Sequence, residues 1–439
     1  MALTKKLPPV YEQSGYYING DRCFDDNIQS DCSSNASKFI CGNEKKEEGK
    51  CCYNIQKINF EDGTSKYHLE TNYFIGIDWY ENNVKAIYVQ PKQNSESKEI
   101  DVLKLLFNAL QEPENFDYLQ ELYEVDFDAR PIIIEQKNDK LSPFLIIQFL
   151  QVLKQIVRRG LKKTYYPITQ NLEAKVKGKI LINQTIKTDI FKNRFAKNVC
   201  KYDEFGYNGE ENRILKKALL FSKIALANYQ TINTDSISEL ISYINPAFES
   251  VSDEIDTDRI KSFKPNPLYK EYERAIKLAK LILKRYSYNI SLVANQEIAT
   301  PPYWIDMSKL FELYVLKLLK QVFSDEDEVI YQFDAGRLYP DFLINGREKM
   351  VIDAKYKRYD TKTIEINDIR QICAYSRMER VINKLGTKTN IVDCLVIYIS
   401  EQAYTNEEST INMLKTNLKS NKLKDYSQFY KLGISLPTV

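Results

Sequence analysis

Across 439 residues there is one histidine, His68. With a single imidazole, a histidine-based triad or a histidine-rich metal centre is set aside, so any chemistry must run on carboxylates, lysine and metal. Long apolar runs are also missing. No stretch approaches the roughly 18 continuous apolar residues of a membrane span. The N-terminus, MALTKKLPPVYEQSGYYING, carries basic residues with no apolar run behind them and does not read as a signal peptide. These absences lead us to expect a cytoplasmic protein with no membrane partner. Gly and Pro number only 14 each, which excludes low-complexity and collagen-like classes. GxxxxGK[ST] is absent, so no P-loop nucleotide site is expected in this chain; if nucleotide powers its work, a second protein must bind it.

Cysteine is present but poorly arranged for metal. Five of the eight lie at Cys23, Cys32, Cys41, Cys51 and Cys52, with no CxxC pair among them. Zinc sites use tighter ligand pairs, and disulfides are rare in a cytoplasmic chain. Ordinary thiols in a polar insertion over about residues 20–50 are the favoured reading.

What is there is a globular composition, 43% apolar and 28% charged, in a chain long enough for two or three domains. The net charge of +2 is unevenly spread. From Leu153 to Lys201 there are thirteen Lys and Arg against Glu173 and Asp189, a local excess of eleven, so the remainder is acidic by nine. Such a block is the footprint of a polyanion partner. Arg158, Arg159, Lys162, Lys163, Lys175, Lys177 and Lys179 are the candidate DNA-backbone contacts. The alternative is a solvated face balanced by the acidic stretch EPENFDYLQELYEVDFDAR, residues 112–130.

Along the chain, YNIQKINF, KYHLETNYFIGIDWY and VKAIYVQ, separated by turn signals at Glu61-Asp62-Gly63 and Glu81-Asn82-Asn83, predict a β-meander. Residues 131–135, PIIIE, predict another strand. Phe149, Val152, Leu153, Ile156 and Val157 recur at helical spacing, and Gly160 is placed to end that helix. KVKGKILI then predicts a strand, and helices are expected over 212–228 and from Pro267 to about Tyr286. A helix over 306–323, N-capped by Asp306, buries Leu310, Phe311, Tyr314, Val315, Leu318, Leu319 and Val322. A hairpin, a helix over about 367–384 and the central strand CLVIYIS (394–400) complete the chain. The expected class is α/β in the α+β multidomain sense: a β-rich region at 1–140, a basic helical middle at 141–295 and a C-terminal domain at 296–439.

The hairpin YPDFLINGREKMVIDAKYK, residues 339–357, carries the chemistry. Asn345-Gly346 is a two-residue turn signal. Asp353 and Lys355 are two apart on one strand and project from one face. With the turn centred on Asn345-Gly346, Asp341 reaches Asp353 only through a bulge or extended loop. If they meet, two carboxylates and an ammonium converge, and Mg²⁺ with its oxygen ligands is the ion that suits them. The lysine would then position or deprotonate an attacking water, or offset charge on the phosphorus.

Pro340-Asp341, eleven intervening residues and Asp353-Ala354-Lys355 resemble the PD-(D/E)xK nuclease signature. Its neighbours follow in order: Glu312 on the preceding helix, where the family often supplies another metal-coordinating acid, and Gln371 and Tyr375 as a QxxxY on the following one. The resemblance implies an αβββαβ restriction-endonuclease-like core. WIDMSKLFELYV (304–315), GLKKTYYPI (160–168), GKILINQTI (178–186) and CKYDEFGYNGEENRILKKAL (200–219) resemble segments of the McrC family, in order over about 145–400. That resemblance implies the Mg²⁺-dependent endonuclease subunit of a modification-dependent restriction system, acting on modified, typically methylcytosine-containing, double-stranded DNA. It also implies an AAA+ GTPase partner resembling McrB, whose ring binds the GTP and is docked and stimulated by the N-terminal region of this chain. Asp341, Asp353 and Glu312 would hold the metal, Lys355 would serve the water or the transition state, and Gln371, with Tyr375 beside it, would fix the lysine or a water. Two other readings are a regulatory and assembly subunit with secondary nuclease activity, and a stand-alone repair nuclease.

Overall fold

A computed structural model describes residues 10–11, 15–18, 36–40, 50–59, 65–81, 85–91, 100–126, 128–135, 139–227, 234–255, 269–289, 297–325, 327–336, 338–359, 364–387, 392–400 and 407–438. Cys23, Cys32 and Cys41, and the turn signals at Asp62-Gly63 and Asn82-Asn83, lie outside these residues. The chain forms two compact units, one of residues 1–141 with 292–439 and one of residues 142–291. No helix among the described residues is long and apolar enough to cross a membrane.

In the first unit the meander is present, with one change. KYHLETNYFIGIDWY is two strands, Ser65–Thr71 and Phe74–Glu81, and they belong to different sheets. Ser65–Thr71 pairs with Lys50–Asn59 and Gly15–Ile18. Phe74–Glu81 pairs with Lys85–Gln90 and with Tyr303–Asp306, more than two hundred residues later. Gly76 makes that last pairing possible, because a Cβ there would lie 2.0 Å from the Tyr303 carbonyl oxygen. Trp304 enters the core formed by Cys52, Tyr53, Ile55, Leu69, Phe74, Ile87 and Val89, and its indole N–H donates to Asp78 at 3.0 Å.

From Asp306 the chain enters helix α1 (Met307–Val322), whose Lys309 N–H is capped by the Asp306 carboxylate at 2.9 Å. Strands β1 (Val329–Tyr331), β2 (Phe342–Asn345) and β3 (Lys349–Arg358) form an antiparallel meander. Helices α2 (Ile366–Ser376) and α3 (Glu379–Leu385) follow, then β4 (Asp393–Ile399), helix α4 (Glu407–Asn417) and β5 (Phe429–Ile434). β4 and β5 add to β3 in parallel, giving the order β1-β2-β3-β4-β5. Both faces are covered. Leu343, Val351, Cys394 and Val396 pack against Ile369, Ile372, Val381 and Leu385 of α2 and α3, while Tyr356 on the opposite parity meets Phe311 of α1. A strand covered on both faces reads as an unbroken apolar run, which is what CLVIYIS is.

The helix expected over 367–384 is two helices. Arg377 caps the first, and Met378 is extended (φ −72°, ψ 131°) before α3 begins. The break redirects α3 so that Val381 and Leu385 join the core under the sheet.

The second unit contains the helices Leu141–Arg159, Glu210–Ala227, Thr234–Ile244 and Lys270–Asn289. Gly160, at φ +92°, follows the first of them. Its sheet is built on two ten-residue strands that the sequence reading passed over, Thr164–Glu173 and Lys197–Gly206. KVKGKILI yields only the two-residue strand Lys179–Ile180, and Ile182–Thr188 is helical. Gly178 at φ +67° interrupts the extended backbone, and Lys175, Lys177 and Lys179 are all exposed, so the segment has no apolar face to hold in a sheet.

Candidate functional site

The hairpin explains how Asp341 and Asp353 meet. Phe342 pairs with Ile352, Leu343 with Val351, Ile344 with Met350 and Asn345 with Lys349. The reversal is therefore the three residues Gly346-Arg347-Glu348, closed by the Gly346 N–H on the Glu348 carbonyl at 3.1 Å. One further step along this ladder sets Asp341 opposite Asp353. A two-residue turn at Asn345-Gly346 would have set it opposite Met350, so of the bulge or extended loop expected from the sequence it is the longer loop that aligns the two. Asp341 Oδ2 accepts the Ala354 N–H at 2.8 Å, which ties the carboxylate to β3 beside Asp353.

Lys355 projects from the same face of β3. Its Nζ lies 2.7 Å from Asp353 Oδ2, donates to Gln371 Oε1 at 2.9 Å, and stands 3.9 Å from Asp368 Oδ1. Gln371 in turn donates to the Tyr375 hydroxyl at 2.6 Å. Asp368, Gln371 and Tyr375 sit at i, i+3 and i+7 of α2, one helical face turned to the strand. The first of these was not singled out from sequence. Asp368 is buried and accepts from Lys357 at 3.1 Å and from the Tyr359 hydroxyl, while Lys357 also bridges to Glu365 at 2.8 Å. Parity with Asp353 and Lys355 marks Lys357, and helical spacing from Gln371 marks Asp368, so both signals were available.

The third carboxylate comes from α1. Glu312 Oε1 accepts the Gln332 side-chain amide at 3.2 Å and lies 3.8 Å from Lys309 Nζ. Lys309 is buried, pairs with Glu121 at 3.3 Å, and places its ammonium over the rings of Tyr118 and Tyr331. Neither Lys309 nor Gln332 carries a sequence signal, because each acts through a neighbour brought there by the fold.

The electrostatics follow from this crowding. Burial, then the charges of Asp353 and Glu312, push the Asp341 carboxyl well above the usual range. Burial also raises Asp353, with Lys355 pulling the other way. Burial lowers Lys355, but Asp353, Asp341 and Asp368 outweigh it and leave the ammonium above an ordinary lysine. Asp353 Oδ2 is buried and receives no aligned hydrogen bond; its contact with Lys355 is an ion pair. Among the described residues no three acid, thiol or imidazole side chains are gathered closely enough to enclose a metal by themselves. Two aspartates with a buried acceptor lacking an aligned donor nevertheless fit Mg²⁺, which is commonly held by one or two carboxylates and completes its shell with water.

The candidate DNA contacts lie in the second unit and differ among themselves. Arg159 pairs with Glu271, and Lys162 pairs with Glu211 at 2.8 Å. Lys162 is also fixed through its backbone, its N–H donating to the Tyr272 hydroxyl and its carbonyl accepting from Asn212. Lys163 stands over the Tyr207 ring and Lys177 over Tyr202. Arg158, Lys163, Lys175, Lys177 and Lys179 are exposed.

Comparison with known proteins gives three findings. No curated protein matches. Two solved structures are among those similar to this chain. One is the half-complex from a tetradecameric assembly of Thermococcus gammatolerans McrB AAA+ hexamers with bound McrC, at 14% identity and TM-score 0.38, covering 97% of this chain and 94% of that one. The other is the Thermococcus gammatolerans McrBC complex, at 17% identity and TM-score 0.30, covering 73% and 89%. The family model described as McrBC 5-methylcytosine restriction system component matches residues 69–385. That span takes in most of the chain, including Glu312, Asp341, Asp353, Lys355 and Gln371, and the protein belongs to this family of McrBC restriction-system components.

Proposed function

We propose that this chain is the Mg²⁺-dependent DNA endonuclease subunit of a McrBC-type system, with α1-β1-β2-β3-α2-β4 as a PD-(D/E)xK-type core. The observation that carries the reading is the placement of Asp341 opposite Asp353 at the open end of the hairpin, with Lys355 on Asp353 and held by Gln371. Asp341 and Asp353 would hold the ion, with Glu312 behind them. When bound, Mg²⁺ supplies Lewis-acid polarisation of a phosphoryl oxygen and offsets the charge that develops on phosphorus. Lys355 donates hydrogen bonds to the attacking water and to the phosphoryl oxygens. Gln371 holds that ammonium through its carbonyl, and Tyr375 fixes the orientation of the Gln371 amide.

The partner follows from the family and from the missing P-loop. A McrBC component without its own GxxxxGK[ST] works with a nucleotide-binding subunit, which we take to be a McrB-like AAA+ GTPase. Base or modification recognition then belongs to that partner, since lysines on phosphates carry no sequence information. Reconstitution with the partner tests both parts. Asp353→Ala and Lys355→Ala are each expected to lower cleavage at least about 100-fold, a loss typical of removing one transition-state stabiliser, with stimulation of the partner's GTP hydrolysis intact. Unchanged cleavage would remove the site assignment.

A further inference from the structure

We propose that Gln332 is a positioning residue that locks Glu312 to the Asp341–Asp353 pair; this rests on the metal-centre reading of the same site. Gln332 directly follows β1 and has φ +48°, a left-handed conformation uncommon for a residue with a side chain. Two hydrogen bonds use that conformation. Its backbone N–H donates to the Asp341 carbonyl at 2.8 Å, and its side-chain amide donates to Glu312 Oε1 at 3.2 Å. The amide also lies 3.4 Å from the Tyr331 hydroxyl. A carboxylate can only accept, so the nitrogen of the amide faces Glu312.

Glu312 rides on α1, while Asp341 and Asp353 sit on the hairpin. These elements are separate, and three like charges on them repel. Gln332 spans the gap with one residue, backbone to the hairpin and side chain to the helix. A backbone held in a sparsely populated region beside a candidate site is strain retained because the surroundings over-determine it. With the Gln332 amide at 3.2 Å and Lys309 3.8 Å away, Glu312 is held by a neutral donor and a cation.

Two variants separate the backbone role from the side-chain role. Gln332→Asn tolerates the left-handed conformation but is one methylene too short for Glu312. Gln332→Gly removes the side chain and adopts positive φ without strain. Calcium serves as a non-catalytic probe, titrated into the full chain by calorimetry. Both variants are expected to raise its dissociation constant about tenfold, as loss of a residue that orients a metal ligand does. Their thermal midpoints should stay at or above the parent's. In the reconstituted complex, the Mg²⁺ concentration giving half-maximal cleavage should rise likewise, with kcat at saturating Mg²⁺ near the parent's. Unchanged calcium affinity in both variants overturns the proposal. Asp341→Asn and Asp353→Asn locate the failure. If they abolish calcium binding, only the role of Gln332 falls; if they too leave it unchanged, the metal-centre reading falls with it.

Discussion

Asp341 is where the cost of the site is concentrated. Its carboxyl is raised by burial, then by Asp353 and Glu312, so over a range of pH the folded chain binds a proton that the unfolded chain does not. The stabilisation from that proton is complete below the ordinary carboxylate value and is lost as pH rises through the folded value. At pH 8 without divalent ions, Asp341 is therefore a net burden. Asp341→Asn keeps an acceptor for the Ala354 N–H and removes the charge, so it should stabilise the first unit by about 1 kcal/mol, as changes that relieve a functional site do. The gain should shrink as pH falls through the folded value and approach zero only at about pH 3, below the ordinary carboxylate value. Urea unfolding in chelator at the two pH values checks this, and a gain independent of pH would contradict it. The same residue shows what could be read beforehand. The shared face of Asp353 and Lys355 follows from strand parity alone. The position of Asp341 did not, because Asn345-Gly346 signals a two-residue turn while the chain reverses over Gly346-Arg347-Glu348, and only the ladder shows the difference.

At the scale of elements, α1 is covered nearly all round. The sequence marks one stripe, yet Leu313, Leu316, Lys309 and Lys317 are buried as well. The helix Val102–Ala109, the segment Pro113–Glu121 and α4 close over the rest, and Asn115 donates to the Leu313 carbonyl at 2.9 Å. No periodicity announces this, since the covering pieces come from distant parts of the chain. Lys317 is the consequence. Burial pulls its pKa down to about 8, and its ammonium meets Glu407 at the start of α4. Removing one partner of such a pair strands the other charge, whereas replacing the cation by an apolar chain does not. Glu407→Gln should therefore cost about 3 kcal/mol and Lys317→Met close to nothing, with the double variant matching Lys317→Met. Calorimetric unfolding of the three variants decides it; equal losses for both single changes would show that the pair stabilises α4 by attraction.

Over the whole molecule, charge is divided as the sequence indicates but is spent unevenly. The Leu153–Lys201 excess falls entirely within the second unit. The carboxylates that answer part of it were not legible beforehand. Glu211 and Glu271 come from helices some fifty and more than a hundred residues further on, and they take Lys162 and Arg159. What remains exposed is led by Lys175, Lys177 and Lys179, on the segment that failed to become a full strand. If phosphates are what this surface tracks, each neutralised phosphate releases counterions, and log K falls with log salt by about 0.9 per contact. Replacing all three lysines by glutamine should then flatten the salt slope of duplex binding by about 2 to 3, with equal effect on methylated and unmodified DNA. Fluorescence anisotropy of the full chain across a potassium chloride series measures the slope. A slope that does not change would assign these lysines to an acidic protein surface, and the DNA contacts of the complex would then have to come from the hairpin's surroundings and from the partner.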